Sequence, residues 1–172
     1  MLEFFDKVDK AKELYWKNIE ASKVIEIPPI IIEIQDYSKY NSDYKLIFSL
    51  LSELTETPLL EEKAYLEIIN NLHASHKIFI CMNNNTTPIG IITLIIEQKL
   101  IHSGSKVGHI EDFIVKSEFR HLKIGTKLLN YCIEYAQEKK CYKVILDCHE
   151  SLENYYIYTY FHRSGIQMRI NI

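Results

Sequence analysis

The stretch GHIEDFIVKSEFRHLKIGTKLLNYCIEYAQ, Gly108–Gln137, decides how this chain folds. Its first part reads as the end of a strand running from Lys106 to Val115, and it carries two adjacent acids, Glu111 and Asp112. Adjacent acids are poor strand formers, so some chemical demand is expected to hold them there. In its last part Ile124, Leu128, Leu129, Cys132, Ile133 and Ala136 recur at helical spacing, the apolar stripe of a packed helix. Between the two lies a basic loop: Arg120, His121, Lys123 and Lys127 surround the helix start, and Gly125 sits in its first turn. Unpaired N–H groups and a partial positive charge make a helix start attractive to phosphate. Basic side chains there disfavour the helix but strengthen the anion site. Local chemistry alone leaves a solvated basic face equally open.

Upstream of this segment, Ile30–Ile34 (IIIEI) reads as a buried strand. Tyr37–Leu54 and Leu60–Leu72 read as two helices broken by Thr55-Glu56-Thr57-Pro58. Lys77–Met82 and Ile89–Glu97 are strands joined by the turn-rich NNNTTP, residues 83–88. A loop with Ser103-Gly104-Ser105 then leads into the Lys106 strand. Downstream come a strand over Tyr142–Cys148, a tyrosine-rich helix over Leu152–Phe161 and a closing strand over Gly165–Ile172. An antiparallel meander followed by β-α-β predicts an α/β (α+β) domain: a mixed central sheet with helices on both faces. Phe5, Val8, Ala11, Leu14, Tyr15 and Ile19 predict an extra amphipathic N-terminal helix, which Pro28-Pro29 end. Residues 1–29 are therefore expected to be a helical appendage on a main domain spanning 30–172.

At 172 residues the chain is long enough for one full core. The composition, 47% hydrophobic and 25% charged, belongs to soluble globular domains. A net charge of -3 offers no global attraction to nucleic acid or an anionic membrane, so neither is expected as a partner. The apolar run IGIITLII is far short of the roughly 18 residues of a membrane span. Cys81, Cys132, Cys141 and Cys148 have no metal-ligand spacing, and the last three lie in apolar segments. Buried free thiols in a reducing cytoplasm are the expectation, and no metal is expected from the scattered histidines.

The loop Arg120-His121-Leu122-Lys123-Ile124-Gly125 resembles the [Q/R]-x-x-G-x-[G/A] acyl-CoA signature of the GNAT acetyltransferase superfamily, with Lys123 in place of the first glycine. The segments IIEQKLIHSGSKVGHIEDFIV and CYKVILDCHESLENYYIYTYFHRSGIQM are more specific. They are similar to the glucosamine-6-phosphate N-acetyltransferase family, in which K-[IL]-I-H, GHIED, CYK-x-x-LDC and a final G-[VI]-[EQ]-M strand follow in this order. The likeness runs from Ile30 to Asn171 and is strongest after Glu97.

The resemblance implies acetyl transfer from acetyl-CoA to the amine of D-glucosamine 6-phosphate, by direct attack in a ternary complex, feeding UDP-N-acetylglucosamine synthesis. Such chemistry needs a neutral amine, support for the oxyanion and a proton for the departing thiolate. The family pattern assigns Glu111 and Asp147 to the substrate amine and Tyr156 to the thiolate, a phenol of pKa about 10 being a sensible donor. Strand alternation puts His109 and Glu111 on one face with Asp112 on the other, and groups Lys143, Ile145 and Asp147.

Acetyl-CoA is expected along the backbone of Phe113, Ile114 and Val115 and in the loop Arg120, His121, Leu122, Lys123, Ile124, Gly125 and Thr126. Thr55, Lys99, Leu100, Ile101, His102, Glu111, Asp112, Tyr142, Lys143, Asp147 and Arg169 are the expected sugar-phosphate residues. A phosphomonoester needs several converging donors, which Lys99, His102 and Lys143 would supply. The family also implies a homodimer through the C-terminal strand, with Arg169 standing two residues before the family's arginine register at Asn171.

Leu152 and Tyr160 replace an expected CoA-contacting asparagine and a helix-ending glycine. These departures and Lys123 keep two other readings open: a GNAT enzyme for another amine, protein or polyamine, and a non-catalytic acyl-CoA-binding module.

Overall fold

A computed structural model describes residues 29–40 and 43–172, with the side chains of 38–40 left aside. The expected N-terminal helix lies outside the described residues. The described chain falls into two compact units, residues 29–146 and Asp147–Ile172.

The larger unit is built on five strands in the order β1-β2-β3-β4-β5: Ile30–Glu33, His76–Asn83, Thr87–Gln98, Lys106–Val115 and Cys141–Leu146. The first three pairings are antiparallel and β4 with β5 is parallel, so the meander and the mixed sheet are as the sequence pattern predicts. Helices α1 (Lys45–Leu51), α2 (Glu62–Asn70) and α3 (Ile124–Glu138) cover it.

Alternation along β2 divides the core. Ile80 and Met82 point to one face, where Ile34, Tyr37, Ile47, Leu50, Tyr65 and Ile69 close over them. Phe79, on the opposite face, meets the rings of Tyr131 and Tyr135 of α3 at 4.9 and 5.3 Å. Leu128, Leu129, Cys132 and Ala136 of the α3 stripe are fully buried. The helix lies so close to β3 that a methyl group on Gly90 would stand 2.8 Å from Leu128 Cδ1, so a larger residue there would require the buried Leu128 side chain to shift.

Several expectations need correction. The segment expected as one helix over Tyr37–Leu54 is a 3-10 helix, Ile34–Tyr40, followed by the shorter α1. Asp43, whose carboxylate accepts from the Lys45 N–H at 2.9 Å, restarts the chain there. The closing strand over Gly165–Ile172 does not form: residues 161–172 have no regular structure. Its alternate apolar residues Ile166, Met168, Ile170 and Ile172 are instead at least 85% exposed, and among the described residues no strand pairs with them. Cys148 is exposed rather than buried, because the strand stops before it at Leu146; all four cysteines are free. Among the described residues no helix is long and apolar enough to cross a membrane.

The smaller unit contains a 3-10 turn, Glu150–Leu152, running into α4, Glu153–Tyr158. This helix ends in a Schellman arrangement: Phe161 N–H donates to the Tyr156 carbonyl at 3.0 Å and Tyr160 N–H to that of Ile157 at 3.1 Å. Tyr160 takes the left-handed position, φ 72°, that glycine favours. The edge-on contact of Tyr156 and Phe161, 6.0 Å between ring centres, is the apolar contact that accompanies such a cap.

Candidate active site

The acidic strand β4 holds the first part of the site. Its ladder with β5 ends at Ile110↔Leu146, whereas its ladder with β3 continues to Val115. Glu111–Val115 thus run on past the last β5 pair. The register supplies a reason for the unusual acids. Ile91↔Ile114 and Thr93↔Glu111 leave β4 with one residue more than β3, a β-bulge, and Asp112 sits in it at φ 46°. Aspartate is among the few residues that enter this region readily. The simple alternation expected for Glu111 and Asp112 is therefore corrected: regular pairing lasts to Glu111, and the bulge re-aims the residues beyond it. Both carboxylates are exposed, and Phe113, Ile114 and Val115 are half-buried.

Beyond β4, a 3-10 turn, Ser117–Phe119, leads to α3. Residue Lys123 caps that helix in the left-handed conformation, φ 62° and ψ 9°. This resolves how a lysine stands at a glycine position: it adopts the glycine's backbone geometry, at a cost of about 1 kcal/mol. His121 does likewise at φ 66°. No side chain caps α3 and no acid occupies its first turn, so the helix start suits an anion.

Two of the basic side chains have partners within the chain. Arg120 is turned back, its Nε donating to the Val115 carbonyl at 3.0 Å, and Lys127 Nζ donates to the Pro29 carbonyl at 2.6 Å. Leu122 is half-buried and Ile124 buried; Gly125 and Thr126 open the helix beside them.

The expected phosphate residues gather at the other end of the strands. His102 and Ser103 form a kink at φ 52° and 57°, which brings the His102 ring to 4.8 Å from that of Tyr142. Lys143 Nζ lies 5.4 Å from the centre of the same ring. Lys99 is drawn to Glu97 at 2.6 Å, and that carboxylate also contacts His109 Nε2 at 2.9 Å. Lys99 first and His109 second hold the Glu97 carboxyl below its ordinary value. Leu100 and Ile101 project into solvent at the loop tip, and Thr55 is exposed in the loop after α1. His102, Tyr142 and Lys143 are therefore brought together. They lie where β4 and β5 begin, however, about 15 Å of strand from Glu111.

In the smaller unit Asp147 Oδ2 accepts from Gln167 Nε2 at 2.8 Å, and Arg169 is exposed. Burial, then the neighbouring Tyr155 and Cys148, push the Tyr156 phenol well above its ordinary value of 10.0. Sequence reasoning missed Glu97 and Glu53; only their spacing from Lys99 and Thr55 hinted at either.

A parallel strand pair whose ladder ends before β4 does, a bulged acidic strand and an uncapped helix start after a basic loop fit an acyl-CoA N-acyltransferase fold. The model of the acetyltransferase (GNAT) family matches residues 44–160. A probable glucosamine 6-phosphate N-acetyltransferase 2 of Oryza sativa subsp. japonica is 34% identical over 128 residues, 71% of this chain and 77% of that protein. Glucosamine 6-phosphate N-acetyltransferase 1 of Dictyostelium discoideum is 30% identical over 143 residues, 81% of this chain and 87% of the relative. The crystal structure of the Arabidopsis thaliana glucosamine-6-phosphate N-acetyltransferase superposes with a TM-score of 0.74 at 26% identity, covering 84% of this chain and 99% of that one. The chain belongs to the GNAT acetyltransferases and, within them, to the glucosamine 6-phosphate N-acetyltransferase family.

Proposed function

We propose that this acetyltransferase moves the acetyl group of acetyl-CoA to the amine of D-glucosamine 6-phosphate, releasing N-acetyl-D-glucosamine 6-phosphate and CoA. The observation that carries the reading is the bulge at Asp112, where β4 outruns β5 and presents Glu111 beside half-buried Phe113–Val115. A pantetheine arm fits the backbone of Phe113, Ile114 and Val115, and its pyrophosphate the N–H groups between Arg120 and Thr126. Glu111 and Asp147 hold the amine and take its proton, directly or through water; the substrate displaces the Gln167 amide from Asp147. The amine nitrogen bonds to the acetyl carbon, the carbon–sulfur bond breaks, and Tyr156 gives its phenolic proton to the thiolate. Burial keeps the phenol protonated but also makes it a weaker acid than a free phenol, so its part is a hydrogen bond to the departing thiolate that passes the proton as charge builds on sulfur. No covalent acyl-enzyme is needed.

The sugar phosphate binds with Lys99, His102, Tyr142 and Lys143, with Leu100, Ile101, Asp112, Thr55 and Arg169 completing its surroundings. Since this basic group lies about 15 Å along the strands from Glu111 of its own chain, the proposal includes a cytoplasmic homodimer. Each active site then combines the acids of one copy with the basic cluster of the other. The exposed stripe Ile166, Met168, Ile170 and Ile172 supplies apolar surface for that interface through the C-terminal segment.

The test is thiol release from acetyl-CoA with glucosamine 6-phosphate, glucosamine or spermidine as acceptor. Release with the sugar phosphate alone is expected. Release with spermidine in its place would discard the substrate, and CoA binding without any turnover would discard the catalytic reading.

A further inference from the structure

Glu53 has no part in the chemistry above, yet its side chain reaches the loop on which acyl-CoA binding depends. It follows α1, in the turn where its N–H donates to the Leu50 carbonyl at 3.2 Å. Its Oε2 accepts the Ser117 N–H at 2.8 Å and lies 3.5 Å from the Arg120 guanidinium. Arg120 in turn donates through Nε to the Val115 carbonyl. One carboxylate therefore links the end of β4, the Ser117–Phe119 turn and the first residue of the phosphate-binding loop.

That loop needs external restraint. His121 and Lys123 both hold left-handed conformations that local sterics disfavour, and no side chain caps the following helix. Released at its Arg120 end, the segment would relax toward less strained backbone and scatter the N–H groups that open α3. The pairing with Glu53 also explains why Arg120 is turned back toward β4: its charge is balanced on the protein side, and anion binding is left to backbone groups.

We infer that Glu53 is a positioning residue for the acyl-CoA pyrophosphate loop, acting through Ser117 and Arg120. This rests on the reading of residues 120–126 as the acyl-CoA loop. Preorganised donors lose affinity when their orientation is not held, while the chemical step, on other residues, is spared.

The experiment compares Glu53→Ala and Glu53→Gln with the wild-type protein in three readouts: direct CoA binding by calorimetry, steady-state kinetics and thermal unfolding. Glu53→Ala should weaken CoA binding and raise the acetyl-CoA KM about tenfold, with kcat and the sugar-phosphate KM within about twofold. Glu53→Gln keeps an oxygen for the Ser117 N–H and should recover most of the loss, remaining within about threefold of wild type. Unchanged CoA affinity in Glu53→Ala would overturn the inference. So would parallel losses in Tm, kcat and both KM values that glutamine fails to restore, since those mark a general structural role. Calorimetry with CoA alone separates this idea from the substrate assignment: wild-type protein that binds CoA but ignores glucosamine 6-phosphate refutes the assignment and leaves the Glu53 comparison readable. Wild-type protein that does not bind CoA refutes both.

Discussion

The His102 ring stands 4.8 Å from that of Tyr142 and is tilted 45° to it, with the Lys143 ammonium 5.4 Å from the same tyrosine ring. Two left-handed residues, His102 and Ser103, are needed to aim the imidazole there. Backbone strain of this kind gathers where a side chain must be delivered to a ligand. A cation, an imidazole and a phenol at one point form a cradle suited to a phosphomonoester.

Removing the ammonium from that cradle should be felt by one substrate only. Lys143→Ala is expected to raise the glucosamine 6-phosphate KM by about 10- to 100-fold, the range for losing one charge-assisted contact. The acetyl-CoA KM should not move. Steady-state kinetics with each substrate varied in turn decides the matter; an equal rise in both KM values would place Lys143 outside the phosphate site.

Lys123 supplies a stability test. Its φ of 62° is the conformation glycine enters freely and lysine does not. Lys123→Gly should therefore stabilise the fold, by at most about 1 kcal/mol, because the greater freedom of glycine in the unfolded chain offsets part of the relieved strain. Urea unfolding measures this. A loss of stability would mean that the lysine side chain contributes more than its backbone costs.

The strand order and α3 were legible because period-two and helical stripes are properties of a single segment: Lys106–Val115 and the Ile124–Ala136 stripe lie where the pattern puts them. The bulge at Asp112 was not legible, since it exists only in the register between two strands. The partner of the Arg120 side chain was hidden for a similar reason. Glu53 lies 67 residues away, and nothing local announces the pair. The closing strand failed differently: residues 165–172 do alternate, but a strand needs a neighbour, and none of the described strands pairs with them.

Tyr156→Phe isolates the proposed acid. The ring packing against Phe161 is retained while the proton is lost, so kcat should fall about 10²- to 10⁴-fold with little change in stability. Burial raises the phenol above its ordinary 10.0, so the wild-type rate should show no alkaline loss from Tyr156 as pH rises to 10. Near-normal kcat in Tyr156→Phe would reassign the thiolate proton to water or to another tyrosine.

The buried thiols predict a second pH effect, on stability. Burial pushes Cys81 up to about 11 and Cys132 up to about 12 from an ordinary 9.0. The folded state holds these protons more tightly than the unfolded state, so their contribution is complete below pH 9 and is lost as pH rises toward 11 and 12. Each thiol steepens the decline by up to about 1.4 kcal/mol per pH unit in that window. Urea unfolding under reducing conditions from pH 8 to 11 should show a shallower decline in Cys132→Ala than in wild type, alongside the constant cost of its smaller side chain. Identical slopes would refute the thiol contribution.

The proposed sharing of the active site between two copies makes the strongest demand on the assembly. If each site takes Glu111 from one copy and Lys143 from the other, Glu111→Gln and Lys143→Ala homodimers are each defective at both sites. Mixing them under conditions of subunit exchange yields hybrids in which one site carries both substitutions and the other carries neither. Random exchange makes half the dimers hybrid, so activity should recover to about a quarter of wild type, assayed at glucosamine 6-phosphate concentrations too low for the Lys143→Ala sites to turn over. Introducing Ile170→Asp, which places a charge in the exposed stripe, should weaken the dimer in sedimentation and reduce that recovery. Mixtures that exchange subunits, as followed with differently tagged chains, yet stay inactive would mean that Glu111 and Lys143 serve the same copy's site or that one of them serves none.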